Sequence, residues 1–278
     1  MNDRKPLQPT DVFWSMIALL AVLNLLSPLF TPMADKAWLV APFIGLLLGQ
    51  WNWLAVWAVF GPTPWKSRLA EVLGGMFALA LGLYIGWAMH DQANLSALPE
   101  ALGMLPVAML ATQSPLWVIR FFFAWRIRAE CHTPDAAADE ARRFDLRHIF
   151  AATAVVAGCL GVARGAGVPT EALLSILVGL PIISILTAIP CICTGIVVGD
   201  LWAANMLLAV YTLLLPGVLV AVSSMSLDPG PPLEAIASLC GFMCGMSAVV
   251  HVGLRWIRAA GFTMTAPRRR YPGVIKES

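Results

Sequence analysis

Charge is what this sequence has least of. Asp, Glu, Lys and Arg make up 12% of its 278 residues and the hydrophobic set 59%, against about 25% and about 45 to 50% in an ordinary soluble domain. So few polar side chains would leave a water-soluble domain with a largely apolar surface, and the composition is that of a membrane protein. The net charge is only +2, and the basic residues stand in short clusters at the ends of apolar runs, so no extended face suits a nucleic acid. The sequence also lacks a Gly-Lys-Ser/Thr loop, a Gly-x-Ser-x-Gly elbow and a His-Glu-x-x-His helix. Nucleotide, serine-hydrolase and zincin chemistry therefore lose their usual support, no cofactor is implied, and a non-enzymatic protein is favoured.

Histidine is scarce and scattered. His90 falls at one end of a hydrophobic run and His251 at the opposite end of another, and Cys131, His132 and His148 match no standard zinc spacing. The six cysteines do not form a disulfide framework, because Cys159, Cys191, Cys193, Cys240 and Cys244 lie in or beside apolar segments and only Cys131 is in a long polar one. They read as reduced thiols. Cys191-x-Cys193 with Cys240-x-x-x-Cys244 offers four thiolates to a soft metal, but the pairs fall at different depths and no supporting acid is evident, so small packing residues are the preferred reading and no metal is expected.

What is present is a series of apolar windows about 20 residues long, the span of a bilayer-crossing helix. They predict an all-α, polytopic transmembrane bundle of about eight helices: Asp11 to Phe30, Trp38 to Phe60, Glu71 to Met89, Glu100 to Trp125, Leu146 to Arg164, Glu171 to Cys191, Asp200 to Val222 and Leu233 to Trp256. Gly61-Pro62-Thr63-Pro64 and Asp228-Pro229-Gly230-Pro231-Pro232 are the strongest breaks. Arg4 and Lys5 before the first run are how a secretory signal begins, yet that run is long enough to span and Thr31 to Asp35 make a poor cleavage site, so a retained first helix is expected.

The basic residues agree on one orientation. With the N-terminus inside, Arg4, Lys5, Lys66, Arg68, Arg126, Arg128, Arg142, Arg143, Arg147, Arg255, Arg258, Arg268, Arg269, Arg270 and Lys276 are all cytoplasmic, and only Lys36 and Arg164 fall outside. Both termini are then cytoplasmic in an inner membrane, and the chain divides into a four-helix half (1–125), a polar cytoplasmic connection (126–148) and a second half with a basic, loosely ordered tail (149–278). The halves show little similarity, so no internal repeat is read into them. The connection, about 23 residues, is too short for a domain and serves as a hinge.

Arg143-Phe144-Asp145-Leu146-Arg147-His148-Ile149-Phe150, followed by an apolar run, resembles the F-S-L-R-x-L helix opening of a group of planctomycete multi-pass membrane proteins. Gly49-Gln50 with Leu54, Trp57, Gly61 and Pro62 is similar to a G-Q…L…W…G-P run of the same group. Asp145 stands where Ser is usual; either residue caps a helix start. The resemblance implies lineage and orientation and carries no activity.

Two further patterns bear on function. Small residues recur every four positions: Gly74, Ala78, Gly82 and Gly86; Ala237, Gly241 and Gly245; Gly45 and Gly49. Such stripes let helix backbones approach closely, within the chain or in a homo-oligomer. Polar groups also sit at membrane depth, where burial is costly. Gln113-Ser114-Pro115 would free a backbone carbonyl, Arg120 lies nearer the cytoplasm and could pair with Asp200, and Asn24, Gln50, Asn52 and Asn205 add further groups. These either line a permease cavity or form a structural network. The leading expectation is a non-enzymatic integral membrane protein of unknown activity, a small-molecule permease if the polar groups line a cavity; the alternative is a non-transporting subunit of a membrane assembly packing through its small-residue stripes. The lipid bilayer is the one certain partner.

Overall fold

The computed structural model describes residues 8–33, 36–89, 98–123, 125–129, 146–197, 200–224 and 233–265. Within them the fold is an all-α bundle of eight helices: α1 (Pro9–Leu25), α2 (Ala37–Phe60), α3 (Trp65–Ala88), α4 (Leu98–Phe123), α5 (Leu146–Gly165), α6 (Thr170–Ile192), α7 (Leu201–Ser224) and α8 (Leu233–Ala259). Six of them, α2, α3, α4, α6, α7 and α8, are long and apolar enough to cross a bilayer, while α1 and the described apolar part of α5 are shorter. The chain is an integral, multi-pass membrane protein. Arg4, Lys5, Asp35, His90, Cys131, His132, Arg142, Arg143, Asp145, Asp228 and the Arg268 to Arg270 cluster lie outside the described residues.

Several helix ends depart from expectation. α3 starts at Trp65 rather than Glu71, because Pro64 is fixed at φ −55° and its carbonyl accepts from Arg68 N–H at 2.9 Å. Lys66 and Arg68 therefore belong to the helix rather than to a loop. α1 ends at Leu25, and a 3₁₀ stretch over Ser27–Met33, opened by Pro28, replaces its predicted last turn. α6 passes Pro190 and continues as a π-helical stretch, Cys193–Val197.

A larger correction concerns Arg126 and the tail. Arg126–Ala129 form strand β1, which pairs antiparallel with β2, Phe262–Thr265, in the register Arg126 to Thr265 and Ala129 to Phe262. Gly261, at φ 86°, makes the left-handed turn that carries the chain from α8 into β2. Four-residue strands carry too little alternation to be seen in sequence; the partner, not local propensity, forms them. Because β1 follows α4 and β2 follows α8, those two helices end at the same side of the bundle.

α2 is the centre. From Trp53 to Phe60, seven of eight side chains are entirely or almost entirely buried, Ala58 being the exception. Its most extensive partner is α8, across the boundary between the two halves. A Cβ added at Gly45 would overlap the Phe242 carbonyl oxygen, one at Gly245 the Pro42 carbonyl oxygen, and one at Gly49 would sit 2.8 Å from Met246 O. The two backbones touch because those positions are glycine. The α3 stripe faces α1 instead, with Gly82 against Ala21 and Gly86 against Asn24 and Leu25. On the outside, α7 presents Trp202, Leu207, Val210, Leu214 and Val218 to the surroundings, as a lipid-facing helix does.

Candidate functional site

Several polar groups at membrane depth are hydrogen-bonded within the bundle, while Ser27 Oγ, Asn52 Oδ1, Trp53 Nε1 and Ser247 Oγ are buried with no partner among the described residues. The Asn24 and Gln50 amides exchange hydrogen bonds of 3.0 and 2.7 Å, and Asn24 Nδ2 also donates to Leu79 O at 2.9 Å. Asn52 Nδ2 donates to Thr187 Oγ1 at 3.1 Å. Two of the carbonyls freed by helix prolines are taken as well. Pro115 has no N–H for Ala111 O, and Ser114 Oγ donates there at 2.9 Å; Pro190 has none for Leu186 O, and Tyr211 Oη donates there at 2.6 Å. Ser184 Oγ reaches from α6 to Thr112 O at 2.9 Å, and Gln113 accepts from Trp117 Nε1 at 3.4 Å. Gln50 is thus paired inside the bundle, whereas Gln113 and Ser114 make only local bonds within α4, Ser114 being exposed.

The open site lies at the end of the bundle where α2 gives way to α3 and α4 to β1. A recess of about 260 Å³ is lined there by the Gly61 to Trp65 turn and by Arg68, Arg120, Arg126, Ile127 and Arg128. Four of its ten lining residues are arginine and none is acidic. Arg68 is 7% exposed; its Nη1 donates to Gly61 O at 2.9 Å and to Val59 O at 3.3 Å, while its Nε has no partner among the described residues. Arg120 stacks over the Trp117 ring, 5.2 Å from the centroid. Its Nη1 is buried and has no partner among the described residues. Burial and the charge of Arg128 hold the Arg126 guanidinium below its ordinary pKa.

Glu71 stands behind this wall. Its Oε2 accepts from Trp57 Nε1 at 2.6 Å and from Thr63 Oγ1 at 3.0 Å, and its Oε1 accepts from Thr10 Oγ1 at 3.4 Å. The carboxylate acts on Arg68 from one side, but its oxygens are occupied by α1, α2 and the turn, so it ties the Gly61 to Pro64 loop in place rather than closing the recess. Below the recess, Trp57, Phe60 and Leu116 are fully buried and fill the bundle.

A second polar group sits at the same side, around the π-helical stretch. His251 contacts Asn205 Oδ1 through Nε2 at 2.9 Å and Thr194 Oγ1 through Nδ1 at 3.2 Å. Arg258 Nη1 donates to Ile196 O at 2.8 Å, satisfying a carbonyl at the end of that stretch. Asp200 caps the start of α7 through Trp202 N–H at 2.9 Å, and its charge acts on Arg255.

Comparison with family models, curated proteins and solved structures finds no match to this chain. The site therefore stands on its geometry. Of the residues singled out in sequence, the structure gathers Gln50 with Asn24 and Asn205 with His251. It places Arg120 beside Arg68 and Arg126, and Asp200 beside Arg255. Sequence reasoning missed Arg68, Arg126 and Arg128 as lining and Glu71 as their support. Starting α3 at Pro64 would have shown the signal, since Arg68 and Glu71 are then one turn apart on one face.

Proposed function

We propose that this membrane protein receives an anionic ligand in the arginine recess at its basic end. The observation that carries the reading is a buried guanidinium nitrogen, Arg120 Nη1, opening no hydrogen bond to any described residue in a recess walled by three further arginines. Like charges gathered this closely destabilise the empty state, and an anion bound among them is stabilised by charge-assisted hydrogen bonds. The side is cytoplasmic on the positive-inside rule, with the eight-helix, N-inside orientation in an inner membrane. The resemblance of the α5 opening to planctomycete membrane proteins adds a proposed lineage and nothing about the ligand.

Binding is favoured over conduction because the packed side chains of Trp57, Phe60 and Leu116 fill the bundle next to the recess. A permease would use the recess as its mouth and would have to open α2 from α4. An assembly subunit is the other reading. The observation on its side is that Gly158 and Gly161 on α5, Gly179 on α6 and Gly217 on α7 meet nothing within 4 Å and leave room for a neighbouring helix to approach.

The reading is tested on the full chain in neutral detergent by thermal unfolding in sodium salts of different anions at one ionic strength. Saturable stabilisation by an anion, abolished in R120Q, is expected; the same midpoint in every salt overturns it. Flux of the stabilising anion from proteoliposomes, if found, moves the reading from receptor to permease.

A further inference from the structure

We propose that the anion received by the recess is a phosphate group, carried either by a membrane phospholipid headgroup or by a soluble phosphate compound. The inference rests on the anion reading above and narrows it by number, shape and depth. Arg68, Arg120, Arg126 and Arg128 present several planar donor forks to one volume of about 260 Å³. A tetrahedral oxyanion offers oxygens in several directions at once and accepts from more than one fork, whereas a carboxylate offers a single planar edge and a halide none. The donors come from three separate segments, α3, α4 and β1, so they surround the volume rather than line one side of it. Thr63 and the Gly61 to Pro64 backbone complete the wall, and Glu71 holds that loop through Thr63 at 3.0 Å.

Depth points the same way. Trp65 on the rim is 64% exposed, and Trp125, just before β1, is partly exposed. Exposed aromatic side chains gathered at one level mark the water–lipid interface. The recess opens at that level, where phospholipid phosphates lie, and it is reached from the cytosolic water as well. Basic pockets between transmembrane helices at this height bind anionic headgroups.

The test uses the full chain purified in neutral detergent from its host membrane, with two arms. In the first, native mass spectrometry counts retained phospholipid on the wild type, R120Q, R128Q and K66Q; Lys66 is a basic residue of the same helix start that does not line the recess. In the second, inorganic phosphate is titrated against sodium acetate and chloride at matched ionic strength, with the thermal midpoint as readout. A lipid source predicts an anionic phospholipid retained on the wild type and on K66Q, at least ten-fold depleted in R120Q, and no shift with phosphate. A soluble source predicts a saturable rise of the midpoint with phosphate that is lost in R120Q, and equal lipid retention in all four proteins.

The inference is overturned if retention is equal in all four and phosphate shifts nothing. If acetate or chloride stabilises as strongly as phosphate and R120Q removes the effect, phosphate is wrong while anion binding stands. Helical content by circular dichroism checks that each variant folds. R128Q alters a half-exposed strand residue, and at least a three-fold loss of binding there is the expected result should R120Q not fold.

Discussion

The Asn24 side-chain nitrogen donates to Gln50 Oε1 at 3.0 Å, and the Gln50 nitrogen donates back to Asn24 Oδ1 at 2.7 Å. The two amides are 2% and 3% exposed, on α1 and α2, and each is the main partner the other has. Removing one strands its mate in an apolar interior.

Substituting one member is thus expected to cost more than substituting both. N24L should lose about 1–3 kcal/mol, the penalty of an unpaired buried amide, while N24L/Q50L should lose less than the sum of the single changes, with a coupling of roughly 0.6–1.7 kcal/mol. Reversible unfolding in mixed micelles measures the cycle. Strict additivity would show that the pair does not hold α1 to α2.

The α2–α8 contact makes an opposite kind of prediction, from lack of space. G45A and G245A place a methyl group on a carbonyl oxygen of the facing helix, and each is expected to cost about 1–3 kcal/mol through forced separation of the backbones. G158A and G217A, with nothing within 4 Å, should stay within about 0.5 kcal/mol of wild type. Equal behaviour of the two sets in thermal unfolding would contradict the packing described.

Tyr211 supplies the hydrogen bond that Pro190 denies to Leu186 O. Y211F keeps the ring and deletes only the donor, so α7 should loosen from α6 by about 0.6–1.7 kcal/mol with no change in helical content. Hydrogen exchange around Tyr211, in the middle of α7, is the sensitive measurement; unchanged protection there would mean that another donor serves the carbonyl.

The strand pair can be tested covalently. In a background with the native cysteines replaced, R128C/T263C joins residues directly opposite in β1 and β2 and should cross-link on mild oxidation, because directly paired residues lie about 4.5–5.5 Å apart and a disulfide spans about 4.4–6.8 Å. R126C/T263C is displaced by two residues in the register and should remain reduced. Cross-linking of the second pair in preference to the first would refute the register and, with it, the shape of the recess wall.

How much of this was legible in the sequence follows a physical line. Long apolar windows and the Gly-Pro-Thr-Pro and Pro-rich breaks report on the solvent, because lipid demands about 20 apolar residues per crossing, and the helices are found where those windows stand. Arg126 to Ala129 read as the start of a polar loop because a four-residue strand is created by its partner, Phe262 to Thr265, more than 130 positions away. The arginine recess was hidden for the same reason. Its members come from three segments, and the basic residues that report orientation are the same ones that line it. Gln50 and Asn24 were visible as costly groups, but nothing in the sequence says which costly group meets which. Even the element at the centre was hard to see: attention falls on the polar connection after α4, whereas the bundle is built around α2, which is apolar and outwardly ordinary.

The glycine contact between α2 and α8 also sets an order of assembly. About 190 residues separate Gly49 from Gly241, and at synthesis rates of ~5–20 residues per second α8 follows α2 by roughly 10–40 seconds. For that interval the most deeply buried helix of the finished protein sits in the membrane with its closest partner not yet made. Its bare glycine face and its Trp53 and Trp57 side chains must be kept from other helices by lipid or by the insertion machinery. A ribosome that stalls before α8 therefore leaves behind a chain whose central helix is inserted but whose bundle has no means of closing.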